Sequence, residues 1–152
     1  MTPVELIVAA LALSGSVAVG TAAHELSHAI ALWAGGYRCE IRWWPNRGRG
    51  WLRPRSAFAS VTPQVDGTAS PMALRCAALA PLTLATPLAL ALAGLLPDPY
   101  ESGPLAVQAA LIGWLGCALP SPQDFAVVWY ADRALARASA GGDGAGQSAD
   151  ST

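Results

Sequence analysis

Residues His24-Glu25-Leu26-Ser27-His28 set two imidazoles and a carboxylate at the spacing of the HExxH metal motif. On a helix, positions four apart share a face, so both rings reach one cation while Glu25 lies beside the open coordination position. The chain has only these 2 histidines. A third ligand is expected from Asp124, a carboxylate enclosed between the apolar runs 105–119 and 125–130. An ionisable group at membrane depth normally has a partner, and a metal shared with the histidine pair offers one. Two imidazoles, one carboxylate and a water make a catalytic type of Zn²⁺ site, and no fourth protein ligand is evident. Cys39, Cys76 and Cys117 are odd in number and lack CxxC spacing, so neither a disulfide framework nor a thiolate zinc site is indicated. They read as small hydrophobes.

The elements that must hold these residues are apolar. At 152 residues, 53% hydrophobic and 12% charged, the chain is one domain with far less charge than the roughly 25% of soluble proteins. A net charge of -1 argues against a nucleic-acid partner. Val4 to Ala23 forms an apolar run about 20 residues long, enough for roughly 30 Å of hydrocarbon. It has no basic segment before it and exceeds a signal-peptide core in length, so it reads as a spanning helix. The helical pattern continues through the motif to Trp33, a plausible interfacial anchor, and stops at Gly35-Gly36, which favour a C-cap. A straight helix would put His24 on the order of 13 Å inside the level of Trp33.

Residues 37–71 change character, with six arginines from Arg38 to Arg55 interleaved with Trp43, Trp44 and Trp51. Tyr37 to Trp44 alternates as a short strand, Pro45 to Gly50 is turn-rich, and Trp51 to Val61 is expected to return as a second strand. Residues 62–71 read as linker. Ala73 to Leu96 is a second membrane-length run, kinked at Pro81 and Pro87, whose freed carbonyls neighbouring helices must satisfy. A third run extends from Leu105 through the Pro120–Asp124 break to Tyr130. The expected fold is therefore an all-α membrane protein of three transmembrane helices, with a small β-hairpin-like cytoplasmic or interfacial loop between the first two. Residues 1–138 make the membrane domain, with spans near 4–34, 73–96 and 105–131 and a loop over 35–72. Residues 139–152, rich in Gly, Ser, Ala and Asp, read as a disordered tail.

An HExxH in the first span, a loop with strand character, a second span and a Pro-containing third span ending in Asp resemble the site-2 protease family of intramembrane zinc metalloproteases. The resemblance covers most of residues 4–132. It implies that His24, His28 and Asp124 ligate zinc and that Glu25 is the catalytic glutamate. It also implies cleavage of a membrane-embedded peptide bond, in a transmembrane protein substrate within the lipid bilayer, by metal-activated water. The first motif matches well. In the second, Pro122 stands where expected, but Gln123 replaces a Leu, Phe125 replaces a Gly, and Gly116 stands where the family usually has Asn. Those departures bear on substrate positioning, and they keep open a non-proteolytic membrane metal-binding or regulatory protein that retains the fold. A metzincin fits worse, since Ala31 and Ala34 occupy its Gly and third His positions. A helical glutamate ligand would have only Glu40 and Glu101 to draw on, both outside the spans.

All nine positive charges are arginines, and three spans put every one of them, including Arg75, Arg133 and Arg137, on the side of the loop and tail. The arginine-rich side is cytoplasmic by the positive-inside rule, in the cell membrane with the N-terminus outside. His24, near the loop end of span one, and Asp124, near the tail end of span three, then fall in the same half of the bundle. A reporter fused after Thr152 should behave as cytoplasmic; a tail found outside would invert this topology.

Overall fold

A capping box starts the first helix. The computed structural model describes residues 1–43, 59–64, 69–96 and 103–146. Helix α1 spans Pro3–Ala34; Glu5 N–H donates to Thr2 Oγ1 at 3.3 Å, Thr2 N–H donates to Glu5 Oε2 at 2.7 Å, and Pro3 occupies the first turn, where its missing N–H costs nothing. The helix ends as Gly35-Gly36 predicts. Gly36 takes φ 80°, its N–H donates to the Trp33 carbonyl, and Tyr37 N–H donates to the Leu32 carbonyl, a Schellman closure that needs a residue free to adopt positive φ. At 32 residues α1 is longer than a bilayer core about 30 Å thick requires, so it tilts or projects.

The chain then pairs two strands antiparallel, β1 (Arg38–Trp43) and β2 (Ala59–Gln64), in a register running from Arg38 opposite Gln64 to Trp43 opposite Ala59. The expected first strand falls on β1, apart from Tyr37, which precedes it; Trp44 lies outside the described residues. The second differs: residues 62–64, expected as linker, belong to the strand. Pro63 signalled a break, but a two-stranded sheet has only edge strands, where a residue without an N–H is tolerated. The turn-rich 45–50 segment and the expected strand residues 51–58 lie outside the described residues.

The second span comprises α2 (Pro71–Leu79), a 3₁₀ segment over Ala80–Ala85, and α3 (Thr86–Leu92). The irregular stretch falls at Pro81 and Pro87, where the two prolines remove α-helical donors. The span closes earlier than Leu96, because Gly94 at φ 73° caps α3 by the same Schellman geometry as Gly36. The third span is α4 (Leu105–Ala118), a break through Leu119, Pro120 and Ser121, and then α5 (Pro122–Gly146). Helix α5 is kinked at Tyr130 (φ -120°, ψ 15°) and runs past the expected end near residue 131 to Gly146, so that residues 139–146, read from their composition as part of a disordered tail, are helical despite the glycines at 141, 142, 144 and 146. Among the described residues, three helices are long and apolar enough to cross a membrane, over Pro3–Ala34, Pro71–Leu92 and Leu105–Arg133.

Apolar side chains such as Leu6, Ile7, Leu11 and Val19 face outward from α1, and the contacts within the bundle are made largely by small residues. Lipid tails are as apolar as leucine, so close backbone approach and interhelical hydrogen bonds hold such helices together. Ser16 Oγ donates to the Ala110 carbonyl across α1 and α4, and Trp114 Nε1 donates to the Leu84 carbonyl in the 3₁₀ segment at 2.9 Å. A Cβ on Gly20 would stand 2.9 Å from Cys117 Cβ and Sγ, and one on Gly113 would stand 3.0 Å from the Leu13 carbonyl oxygen. At the loop end Leu32, Ala69, Leu74, Ala77, Ala131 and Leu135 form a buried cluster, with Tyr37, Cys39, Val61 and Val127 packed against it. Arg75 fastens α2 to α5 there, through Nε to the Val128 carbonyl at 3.0 Å and through its guanidinium to Asp132.

The α1–α4 seam yields a paired test. Gly20→Leu should cost about 1–3 kcal/mol by overpacking. Gly15→Leu meets nothing within 4 Å and should be neutral or slightly stabilising, since replacing helical glycine gains up to about 1 kcal/mol. Denaturant titration in detergent reads both, and equal losses would remove the seam as the point of closest approach.

A candidate metal centre

His24 and His28 lie one helical turn apart on α1, with ring centroids 4.8 Å apart and planes at 82°. Each ring has a backbone acceptor. His24 Nδ1 lies 2.7 Å from the Cys117 carbonyl oxygen on α4, and His28 Nδ1 lies 2.7 Å from the Ala77 carbonyl oxygen on α2. A carbonyl only accepts, so each Nδ1 must carry the proton. In the neutral ring Nε2 is then a bare lone pair, the tautomer that a metal ligand requires. Backbone carbonyls holding the far nitrogen of a ligating histidine are the usual outer-sphere arrangement of metal sites.

The two Nε2 atoms stand 3.2 Å apart, and Asp124 offers one carboxylate oxygen to each: Oδ2 is 3.4 Å from His24 Nε2 and Oδ1 is 3.2 Å from His28 Nε2. Three acceptors turned toward one another repel unless a positive charge lies among them. A proton would do so by forming a charge-assisted N–H···O bond, which runs to about 2.7–2.9 Å, shorter than either distance here. Two donors each about 2.05 Å from a common ion at the tetrahedral angle stand about 3.3 Å apart. The observed spacings are nearer the second value, with Asp124 reaching the two rings through different oxygens; with one donor atom from each residue, all lie within 4.8 Å of one another. His24, His28 and Asp124 thus form a group that can hold a metal ion. His28 and Asp124 are also the buried polar side chains among the described residues, each 9% exposed, in a setting where an uncompensated charge is costly.

Asp124 is aimed from the start of α5. Ser121 N–H donates to Asp124 Oδ2 at 2.6 Å and Asp124 N–H donates to Ser121 Oγ at 3.2 Å, so Ser121, Pro122 and Asp124 form a capping box with proline in the first turn. The Ser-x-x-Asp spacing after Pro120 carried that signal in the sequence, as Thr-x-x-Glu did at residue 2. Apolar periodicity, which sets the element boundaries, reveals neither box.

Glu25 stands outside the donor group. It is half-buried on α1, beside His24, His28 and Asp124, with the backbone of Val61 on β2 near its carboxyl group. The departures in the second motif leave the donors untouched, since Gln123 and Phe125 are exposed and Gly116 has nothing within 4 Å of where its Cβ would be. The cysteines supply no thiolate ligand to this group: Cys39 packs on the loop-end core, Cys76 is exposed, and Cys117 sits in the α1–α4 seam with its thiol near the Val17 carbonyl. Comparison of the chain with protein-family models, curated proteins and solved structures finds no match.

Removing the carboxylate should empty the site. Asp124→Ala should bind a divalent ion more than about 10-fold more weakly than wild type, since loss of an outer-sphere partner alone costs 10–100-fold. Elemental analysis and a chelator competition on detergent-purified protein read this, and equal metal in both proteins would strike Asp124 from the ligand set.

Proposed function

We propose that this chain is an intramembrane zinc metalloprotease of the site-2 protease type, oriented with its N-terminus outside and its arginine-rich loop in the cytoplasm. The observation that carries the reading is the convergence of three donors, two of them fixed by backbone carbonyls, with a carboxylate beside them that is not a donor. His24, His28 and Asp124 would hold the ion, and nitrogen and oxygen donors with an open position suit zinc. The same ligand types also serve iron in oxygenases, but Glu25 next to the donors supplies what hydrolysis needs and oxygen chemistry does not. Bound there, zinc supplies Lewis acidity, polarising a carbonyl and bringing the pKa of water to about 7.

The rest falls to the chain's own groups. Glu25 takes the proton from the attacking water at its carboxylate and passes it to the leaving amine. Bundle walls of apolar side chains limit water near the site. Peptide carbonyls in a helix are occupied by the helix's own bonds, so a transmembrane substrate must be locally unwound and extended before attack. An extended segment can add as a strand to the edge of the β1–β2 sheet, and Val61 brings that sheet beside Glu25.

A second reading, a membrane metal-binding or regulatory protein that keeps the fold without proteolysis, is favoured by Gly116, Gln123 and Phe125 in the second motif. Glu25→Gln separates the two. As a general base that is not a ligand, Glu25 should be replaceable with zinc content and folding retained, while cleavage of single-span membrane substrates falls by about 10²- to 10⁴-fold. Undiminished cleavage by Glu25→Gln would sink the mechanism. Zinc-loaded wild type that cleaves none of a panel of such substrates would favour the regulatory reading.

A further inference from the structure

The bond from His28 Nδ1 to the Ala77 carbonyl needs an acceptor that α2 itself leaves free. In an unbroken α-helix that oxygen would accept from the N–H four residues on. Here that residue is Pro81, which has no N–H. The remaining helical donor, Ala80 N–H, bonds Ala77 O in 3₁₀ fashion and occupies one lone pair, which leaves the other for the imidazole. The His24 acceptor is kept open in a related way. Three residues after Cys117 stands Pro120, without an N–H, and four after it stands Ser121, whose N–H is turned to Asp124 Oδ2. Both histidines are therefore held by carbonyls that receive no bond from the residue four positions on, although Ala77 keeps the 3₁₀ bond from Ala80 N–H.

We propose that Pro81 is a positioning residue of the metal centre. By withholding an N–H it reserves one lone pair of the Ala77 carbonyl for His28 Nδ1–H, and that bond turns His28 Nε2 toward His24 Nε2 and Asp124. The inference rests on the metal-centre reading above, but the orientation of the His28 ring is measurable without metal. Pro81 is fully buried, so a plain substitution mixes two effects, the restored donor and the lost ring. Lactic acid at position 81, the backbone-ester analogue of alanine, separates them, because it lacks the proline ring and also lacks an N–H.

Three forms of the full chain in detergent decide the matter: wild type, Pro81→Ala, and the ester at position 81. Zinc affinity is read by chelator competition, and the ring tautomers by ¹⁵N resonances of the two histidines in metal-free protein. Pro81→Ala should bind zinc about 10–100-fold more weakly, as loss of an outer-sphere partner does. It should shift the His28 Nδ1 resonance while leaving that of His24, which has a different acceptor. The ester should restore both readouts to wild-type values. Wild-type behaviour of Pro81→Ala would overturn the proposal, and so would an ester form as impaired as Pro81→Ala. Should Pro81→Ala not fold, the ester alone decides: retained affinity and tautomer support the proposal, and their loss overturns it. A wild type that binds no zinc yet shows the same proline-dependent tautomer would remove the protease reading and leave the role of Pro81 standing.

Discussion

In hydrocarbon a polar group must find its partner inside the protein, and the bundle is organised by that constraint at two oxygens, those of Ala77 and Cys117. Each belongs to a span that proline has interrupted, and each accepts from a histidine of α1 at 2.7 Å. At each carbonyl the donor four residues on is missing or turned away, and a histidine that itself needs orienting takes its place, beside the 3₁₀ bond that Ala77 keeps from Ala80 N–H. The same pair of bonds ties α1 to both neighbouring spans at one level. Fold and centre rest on shared contacts.

Along α1 the buried residues Ala9, Gly20, His28 and Ala29 are small or polar, Leu32 being the large exception, and large apolar side chains such as Leu6, Ile7, Leu11 and Val19 face outward. Gly20 allows the backbone approach that brings the Cys117 carbonyl within reach of His24, for which a leucine at that position would leave no room. Below the site, Leu32, Leu74, Ala131 and Leu135 close the loop end of the bundle, with Arg75 pairing Asp132. That ion pair is largely exposed, so it fixes geometry more than it stabilises. The β1–β2 pair packs on this floor through Cys39 and Val61, which keeps it beside Glu25.

Much of the site was legible because its chemistry lies in side chains at fixed spacing. His24 and His28 stand four apart, Glu25 between them, and Asp124 was conspicuous as an acid inside apolar sequence. The spans were legible from their length, and the end of α1 from Gly35-Gly36. What the sequence hid was backbone chemistry. No side chain at Ala77 or Cys117 marks its carbonyl as a histidine partner, and only Pro81, read as a kink, and Pro120, read as part of a break in the third run, hinted that acceptors were free. The extent of the second strand was hidden for a similar reason: Pro63 argues against a strand in any sheet with interior positions, and the number of strands cannot be read from one of them.

Ser16, Gly20, His24 and His28 form a row with a step of four residues, and an α-helix turns 400° over four, or 40° beyond a full revolution. The row therefore precesses around α1 by about 120° from Ser16 to His28. At its start it faces Ala110 on α4, at His24 it still reaches α4 through Cys117, and by His28 it has come round to Ala77 on α2. The pitch mismatch of the helix is what lets two imidazoles on one rod lean on two different supports. Helical phase accordingly becomes a quantity this chain must conserve: a single residue inserted between Gly20 and His24 would advance the motif by about 100° relative to the glycine contact and turn both imidazoles away from their carbonyls, with every side chain of the site still present.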